Sequence, residues 1–139
     1  MNWLIRTLML GNRLPRVIDP HSHEVLDYLV TGYFLVLSGM FWGNHKRASA
    51  TALINGMAVL GATLMTDYDG DGRKPISFPM HGKIDIAQMG MASMLPVLLG
   101  FGGNWRSSLF QLQAASEAAV IASTDWEATG RGEIGERAA

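Results

Sequence analysis

The residues best suited to chemistry in this chain are two histidines and four aspartates that recur with one spacing. "HEVLDY" begins at His23 and "HGKID" at His81, and each carries an aspartate four residues on, Asp27 and Asp85. Residues at i and i+4 share one face of a helix. "TDY" and "TDW" supply Asp67 and Asp125 at the ends of later apolar runs. Imidazole and carboxylate ligands suit zinc, iron or manganese, and a symmetric pair of such sets could hold two metals. The same six residues also suit a structural clasp, His23 with Asp67 and His81 with Asp125, tying the two ends of each helical hairpin. His21 and Arg16 are alternative partners for these acids. Bis-histidine haem ligation by His23 and His81 is a third chemistry, with no other haem signal beside it. Asp27 and Asp85 fall in first helical turns, where the macrodipole favours an acid. Asp67 and Asp125 end helices, where it opposes one, so those two need partners.

Other polar residues stand inside apolar surroundings. Glu117 interrupts the last run, with Gln113 one turn before it and Asn55 as the amide counterpart of Gln113. An acid near mid-span is a functional candidate, binding a proton, a polar ligand or a partner helix. The plainer reading is a protonated acid hydrogen-bonded to Gln113 or Ser116. "DYDGDG" at 67–72 opens like a calcium-binding loop, but Phe78 stands where its closing glutamate belongs. A polar turn is therefore expected there. The chain has no cysteine, which excludes disulfides, thiolate metal sites and thiol catalysis. It has no G-x-S-x-G, phosphate loop or H-E-x-x-H motif, so the role expected is non-catalytic. A net charge of −1 without a basic stripe gives no footprint for nucleic acid.

The elements that must position these groups are apolar and long. Hydrophobic residues make up 48% of the 139 and charged residues only 17%, a smaller charged share than globular domains usually carry. Residues 48–66 contain no charge, and runs of similar length cover 24–43, 83–102 and 107–124. At about 1.5 Å per residue each nearly matches a hydrocarbon core of about 30 Å. A soluble bundle would show a charged outer face on every helix. The expectation is an all-α protein of four transmembrane helices.

Laying 23–68 on 81–126 matches His23/His81, Asp27/Asp85, Gly32/Gly90, Leu37/Leu95, Ser49/Ser107, Thr66/Thr124 and Asp67/Asp125, all at one constant offset without a gap. Two tandem hairpins related by a pseudo-two-fold along the membrane normal are expected. The chain then divides into an interfacial amphipathic leader (1–22), a first repeat (23–68), a polar cytoplasmic loop (69–80), a second repeat (81–126) and a mobile tail (127–139). Arg6, Arg13, Arg16, Arg73, Lys74, Lys83, Arg131 and Arg137 share one face, against Lys46, Arg47 and Arg106 on the other. That bias predicts both termini in the cytoplasm of a bacterium, with the chain in its inner membrane. Ala48, Ala52 and Gly56 form a small-residue ridge on the second span, as Ala114, Ala118 and Ala122 do on the fourth. Such ridges let helix backbones approach closely in lipid, and spans two and four are expected to line the bundle axis.

"LPVLLGF" at 95–101 and "LSGMFWG" at 37–43 occupy matching places in the two repeats, with Ser38 at the equivalent of Pro96. In these elements the region 19–126 resembles the SPW-repeat class of small bacterial integral membrane proteins. The resemblance implies a four-helix membrane domain and carries no reaction with it. The role expected is a membrane scaffold or accessory subunit, packed against lipid and against other membrane subunits or further copies of itself. The alternative is a membrane protein that binds a divalent metal or small ligand through its His/Asp constellation.

Overall fold

A computed structural model describes residues 15–130. The expected leader helix and most of the tail lie outside the described residues. Four helices make up the fold: α1 (Pro20–Phe41), α2 (Lys46–Met65), α3 (Phe78–Leu98) and α4 (Trp105–Ser123). Two-residue strands β1 (Thr66–Asp67) and β2 (Ile76–Ser77) lie between α2 and α3. Each helix begins slightly before the corresponding apolar run, because its first turn is capped by polar residues. Asp19 caps α1 by accepting from the Ser22 amide. Pro20 follows at a position that has no partner for an N–H anyway. Ser77 caps α3 at the Met80 amide, His45 caps α2 at the Ala48 amide, and Asn104 caps α4 at the Arg106 amide. Each side chain thereby satisfies one of the amides a helix start leaves unpaired. Gly100, at φ +75°, takes the left-handed conformation that ends α3.

The helices pack in sequence order, α1 on α2, α2 on α3 and α3 on α4. The small ridge of α2 is used against α1: Ala48 and Ala52 are fully buried, and a Cβ on Gly56 would stand 3.1 Å from the Cβ of Phe34. Of the α4 ridge only Ala114 is buried, while Ala118 and Ala122 are half-buried. Phe34, Phe41, Phe101 and Phe110 fill the core between these small residues.

Two short parallel pairings join helix exits to helix entries. Thr66 pairs with Ile76, setting the end of α2 beside the start of α3. Thr124 pairs with Ile18, setting the end of α4 beside the start of α1. The amides of Val17 and Ile18 donate to the Ser123 carbonyl at 3.0 Å, and the Asp125 amide donates back to Ile18. The first turns of α1 and α3 and the last turns of α2 and α4 therefore gather at one end of the bundle.

Beside the apolar core, many polar side chains are buried and many apolar ones are exposed. Buried positions include two histidines, Asp27, Asp85, Asn55, Gln88, Gln113, Glu117 and several threonines and serines. Exposed positions include Leu29, Val36, Met40, Leu53, Leu64, Met94, Val97 and Leu112. Two of the helices, α1 and α2, are long and apolar enough to cross a membrane, with mean hydropathies of 1.3 and 1.5.

Candidate metal centre

Four of the six expected residues meet. His23 and Asp27 come from the first two turns of α1, and His81 and Asp85 from the first two turns of α3. All four are buried, the histidines at 0% exposure. They form a closed ring in which each carboxylate serves both imidazoles. His23 Nε2 lies 3.0 Å from Asp85 Oδ2 and 3.4 Å from Asp27 Oδ1. His81 Nε2 lies 3.0 Å from Asp27 Oδ2 and 3.2 Å from Asp85 Oδ1.

The other nitrogen of each ring decides its protonation. His23 Nδ1 is 3.0 Å from Thr124 Oγ1, and His81 Nδ1 is 2.7 Å from Thr66 Oγ1. Each threonine already donates its single hydroxyl hydrogen to the carbonyl four residues back, Val120 or Ala62, at 2.7 Å. The hydroxyls can then only accept from the imidazoles, so Nδ1 carries the proton in both rings. Both Nε2 atoms are thus turned toward carboxylates with nothing left but a lone pair or an added proton. His81 Nε2 is buried and has no hydrogen-bond partner among the described residues, because a lone pair facing carboxylate oxygens meets acceptors only.

One ligand atom from each of the four residues can be chosen so that all lie within 4.8 Å of one another. Each histidine faces a different oxygen of each aspartate at 3.0–3.4 Å, so either oxygen of each carboxylate can serve as its ligand atom. Two neutral imidazoles and two carboxylates balance one divalent cation. The threonines hold ring orientation and tautomer, as outer-shell acceptors do in metal sites. A further donor comes from Tyr68, whose hydroxyl gives a 2.8 Å hydrogen bond to Asp27 Oδ2. Burial and the neighbouring Asp27 charge push the Tyr68 pKa up, keeping it the donor.

Aromatic rings close the site from the bundle end. Trp126 stands edge-on to His23 with centroids 4.9 Å apart, and Phe78 lies 4.9 Å from Trp126 and 5.6 Å from His23. Tyr68 covers His81 at 5.6 Å. A Cβ on Gly82 would sit 3.0 Å from the Trp126 ring, so this glycine lets the indole lie against α3.

Asp67 and Asp125 are not in the ring, and the expected His23–Asp67 and His81–Asp125 clasps are not formed. The structure sets each histidine on a threonine at the end of the other hairpin, His23 on Thr124 and His81 on Thr66, one residue before that hairpin's aspartate. The acids meet the opposing dipole locally instead. Asp67 accepts from the Gly72 amide at 2.6 Å and the Asp71 amide at 3.1 Å, which together hold its pKa down. Asp125 accepts from the Glu127 amide at 3.3 Å. The 67–72 segment is thus a polar turn, with Gly70 and Gly72 at positive φ. His21 lies 3.3 Å from Asp69 at the surface and takes no part in the ring.

Glu117 and Gln113 lie deeper along α4, where Gln113 Nε2 donates to Glu117 Oε2 at 3.1 Å. Asn55 accepts at 3.2 Å from Gln88, a partner that spacing alone did not single out. Thr66, Thr124 and Tyr68 were likewise missed as functional side chains, although their signal stood in the repeated "TD-aromatic" phrase. No family model, curated protein or solved structure matches the chain, so none bears on the SPW-repeat resemblance.

Proposed function

We propose that this chain is a four-span integral membrane protein that binds one divalent transition-metal ion through His23, Asp27, His81 and Asp85. The observation that carries the metal is the pair of imidazoles locked by threonines with Nε2 turned into the ring, one of them without a hydrogen-bond partner among the described residues. Such an atom, buried and unpaired, costs free energy that a cation at the centre of the ring removes. The mixed nitrogen and oxygen set suits zinc, iron or manganese.

The membrane reading is supported by the buried polar and exposed apolar side chains and by four helices of 19 to 22 residues. In lipid, polar side chains turn inward and pair with one another, while apolar ones face out. The tandem-hairpin two-fold is supported by reciprocal contacts: His23 with Thr124 and His81 with Thr66, Thr124 with Ile18 and Thr66 with Ile76. Each contact maps on its mate through the constant offset that relates His23 to His81.

The test is elemental analysis of protein extracted in mild detergent and purified without chelator. About one metal per chain is expected, lost in His81→Ala and in Asp85→Asn. No bound metal after exposure to zinc, ferrous iron or manganese ends the reading.

A scaffold or accessory-subunit role is a second reading, favoured by exposed apolar side chains that another subunit would cover as readily as lipid. A larger complex or oligomer in mild detergent supports it, and a monodisperse monomer counts against it.

A further inference from the structure

The two interfaces between hairpins are built differently, and the difference leaves an acceptor waiting for a donor. Between α2 and α3 the contact is closed by amides: Gln88 Nε2 donates to Asn55 Oδ1 at 3.2 Å, and Asn55 Nδ2 donates to the Thr51 carbonyl at 2.9 Å. The repeat offset sets Gln113 against Asn55, Val30 against Gln88 and Glu117 against Val59. Between α1 and α4 the donor amide is therefore missing and an acid is added. Gln113 Oε1 is buried without a hydrogen-bond partner among the described residues, and Gln113 and Glu117 are each only 5% exposed. Among the described residues no lysine, arginine or histidine lies within ion-pair distance of Glu117.

Where Gln88 fills the α2–α3 interface, a groove of about 270 Å³ lies between α1 and α4. Its walls are apolar, from Leu26, Leu29, Val30 and Tyr33 on one side and Leu112 and Val120 on the other. Gln113 and Glu117 line it together with Asp27 and Ser116. The Tyr33 hydroxyl donates to the Leu109 carbonyl at 2.7 Å, tying α1 to α4 one turn from Gln113. A volume just below the usual range for ligand pockets suits a one-ring or short-chain molecule.

We propose that this groove binds a small amphipathic amine in its cationic form, with its N–H groups on Glu117 and the Gln113 amide oxygen and its apolar body between α1 and α4. The occupant's N–H stands where the Gln88 amide stands in the other interface. Its charge answers an acid that no lysine, arginine or histidine reaches among the described residues. The groove borders the metal centre through Asp27, but the two groups that hold the amine, Glu117 and Gln113, lie outside the ring.

The experiment is calorimetric titration of 2-phenylethylammonium into the protein in phosphatidylcholine nanodiscs, with empty nanodiscs subtracted. Saturable binding of one amine per chain is expected, weakened at least about tenfold in Glu117→Gln by loss of the charge-assisted bonds. Val30→Gln restores the missing donor within the chain and is expected to abolish binding. Metal content of the same preparations is measured in parallel and is expected to match wild type, which separates failure here from failure of the metal reading. Competition by phosphatidylethanolamine assigns the amine to a lipid headgroup, and its absence to a free amine. Undiminished binding in Glu117→Gln, equal binding of 2-phenylethanol, or no saturable binding to wild type overturns the proposal. So does a change of oligomeric state in Glu117→Gln with no amine bound, which would make a second copy the occupant.

Discussion

Replacing Thr124 with valine tests the logic of the metal ring at the atom that orients it. Valine keeps the β-branched shape, so packing at the end of α4 is preserved. What disappears is the lone pair that accepts from His23 Nδ1 at 3.0 Å. His23 is 0% exposed, so its Nδ1–H has no water to turn to. A buried donor left unsatisfied costs about 1–3 kcal/mol. Loss of an outer-shell partner weakens metal binding by about 10–100-fold, which is about 1.4–2.8 kcal/mol. The two figures come from different kinds of measurement and overlap. The hydroxyl's other bond, to the Val120 carbonyl, is the back-bonding kind that adds little to helix stability, so its loss does not inflate the sum. Thr66→Val should do the same at His81, and the double variant should lose less than the product of the two, because both rings act on one ion. The assay is zinc competition against a chromophoric chelator in detergent solution, with thermal unfolding recorded with and without metal. Wild-type affinity in both folded single variants refutes the reasoning. An equal loss of thermal stability with and without metal would put protons, rather than a metal, between the four residues.

Four further outcomes are expected. Tyr68, with its pKa raised by burial and by Asp27, is stabilising while protonated. Stability should hold below the unfolded tyrosine pKa of about 10 and fall as pH rises beyond it, and Tyr68→Phe should remove that dependence in unfolding measured from about pH 8 to 12. Gly82→Ala places a new Cβ 3.0 Å from the Trp126 ring. It should destabilise by about 1–3 kcal/mol and shift tryptophan emission, read in a denaturant titration. Gly90→Ala, with nothing within 4 Å of its Cβ, should instead stabilise by about 0.5–1 kcal/mol in the same titration. Because the chain has no cysteine, single cysteines at the exposed Asn44 and Arg73 should label from opposite sides of a sealed membrane, and labelling from one side would break the four-span topology.

The sequence alone was enough for the helices, since apolar runs of about 20 residues are too long for strands. It was also enough for half the ring. The i, i+4 spacing puts His23 with Asp27 and His81 with Asp85 on single helix faces, and the repeat announces that the two faces are alike. What spacing does not carry is which helix end meets which. The expectation paired His23 with Asp67 because a hairpin returns to its own start. The parallel pairings of Thr66 with Ile76 and Thr124 with Ile18 instead set each helix exit beside the entry of the next helix around the bundle. That shift hands each histidine to a threonine of the other hairpin, and it leaves Asp67 and Asp125 to backbone amides in the turns beyond. It also sets Asn55 against Gln88 but Gln113 in a groove with Val30, which stands in Gln88's place in the repeat, so among the described residues Gln113 Oε1 finds no donor. Local spacing fixes what one helix can present. Which groups face each other across a bundle follows from how exits and entries pair, and that exists only once the chain has closed on itself.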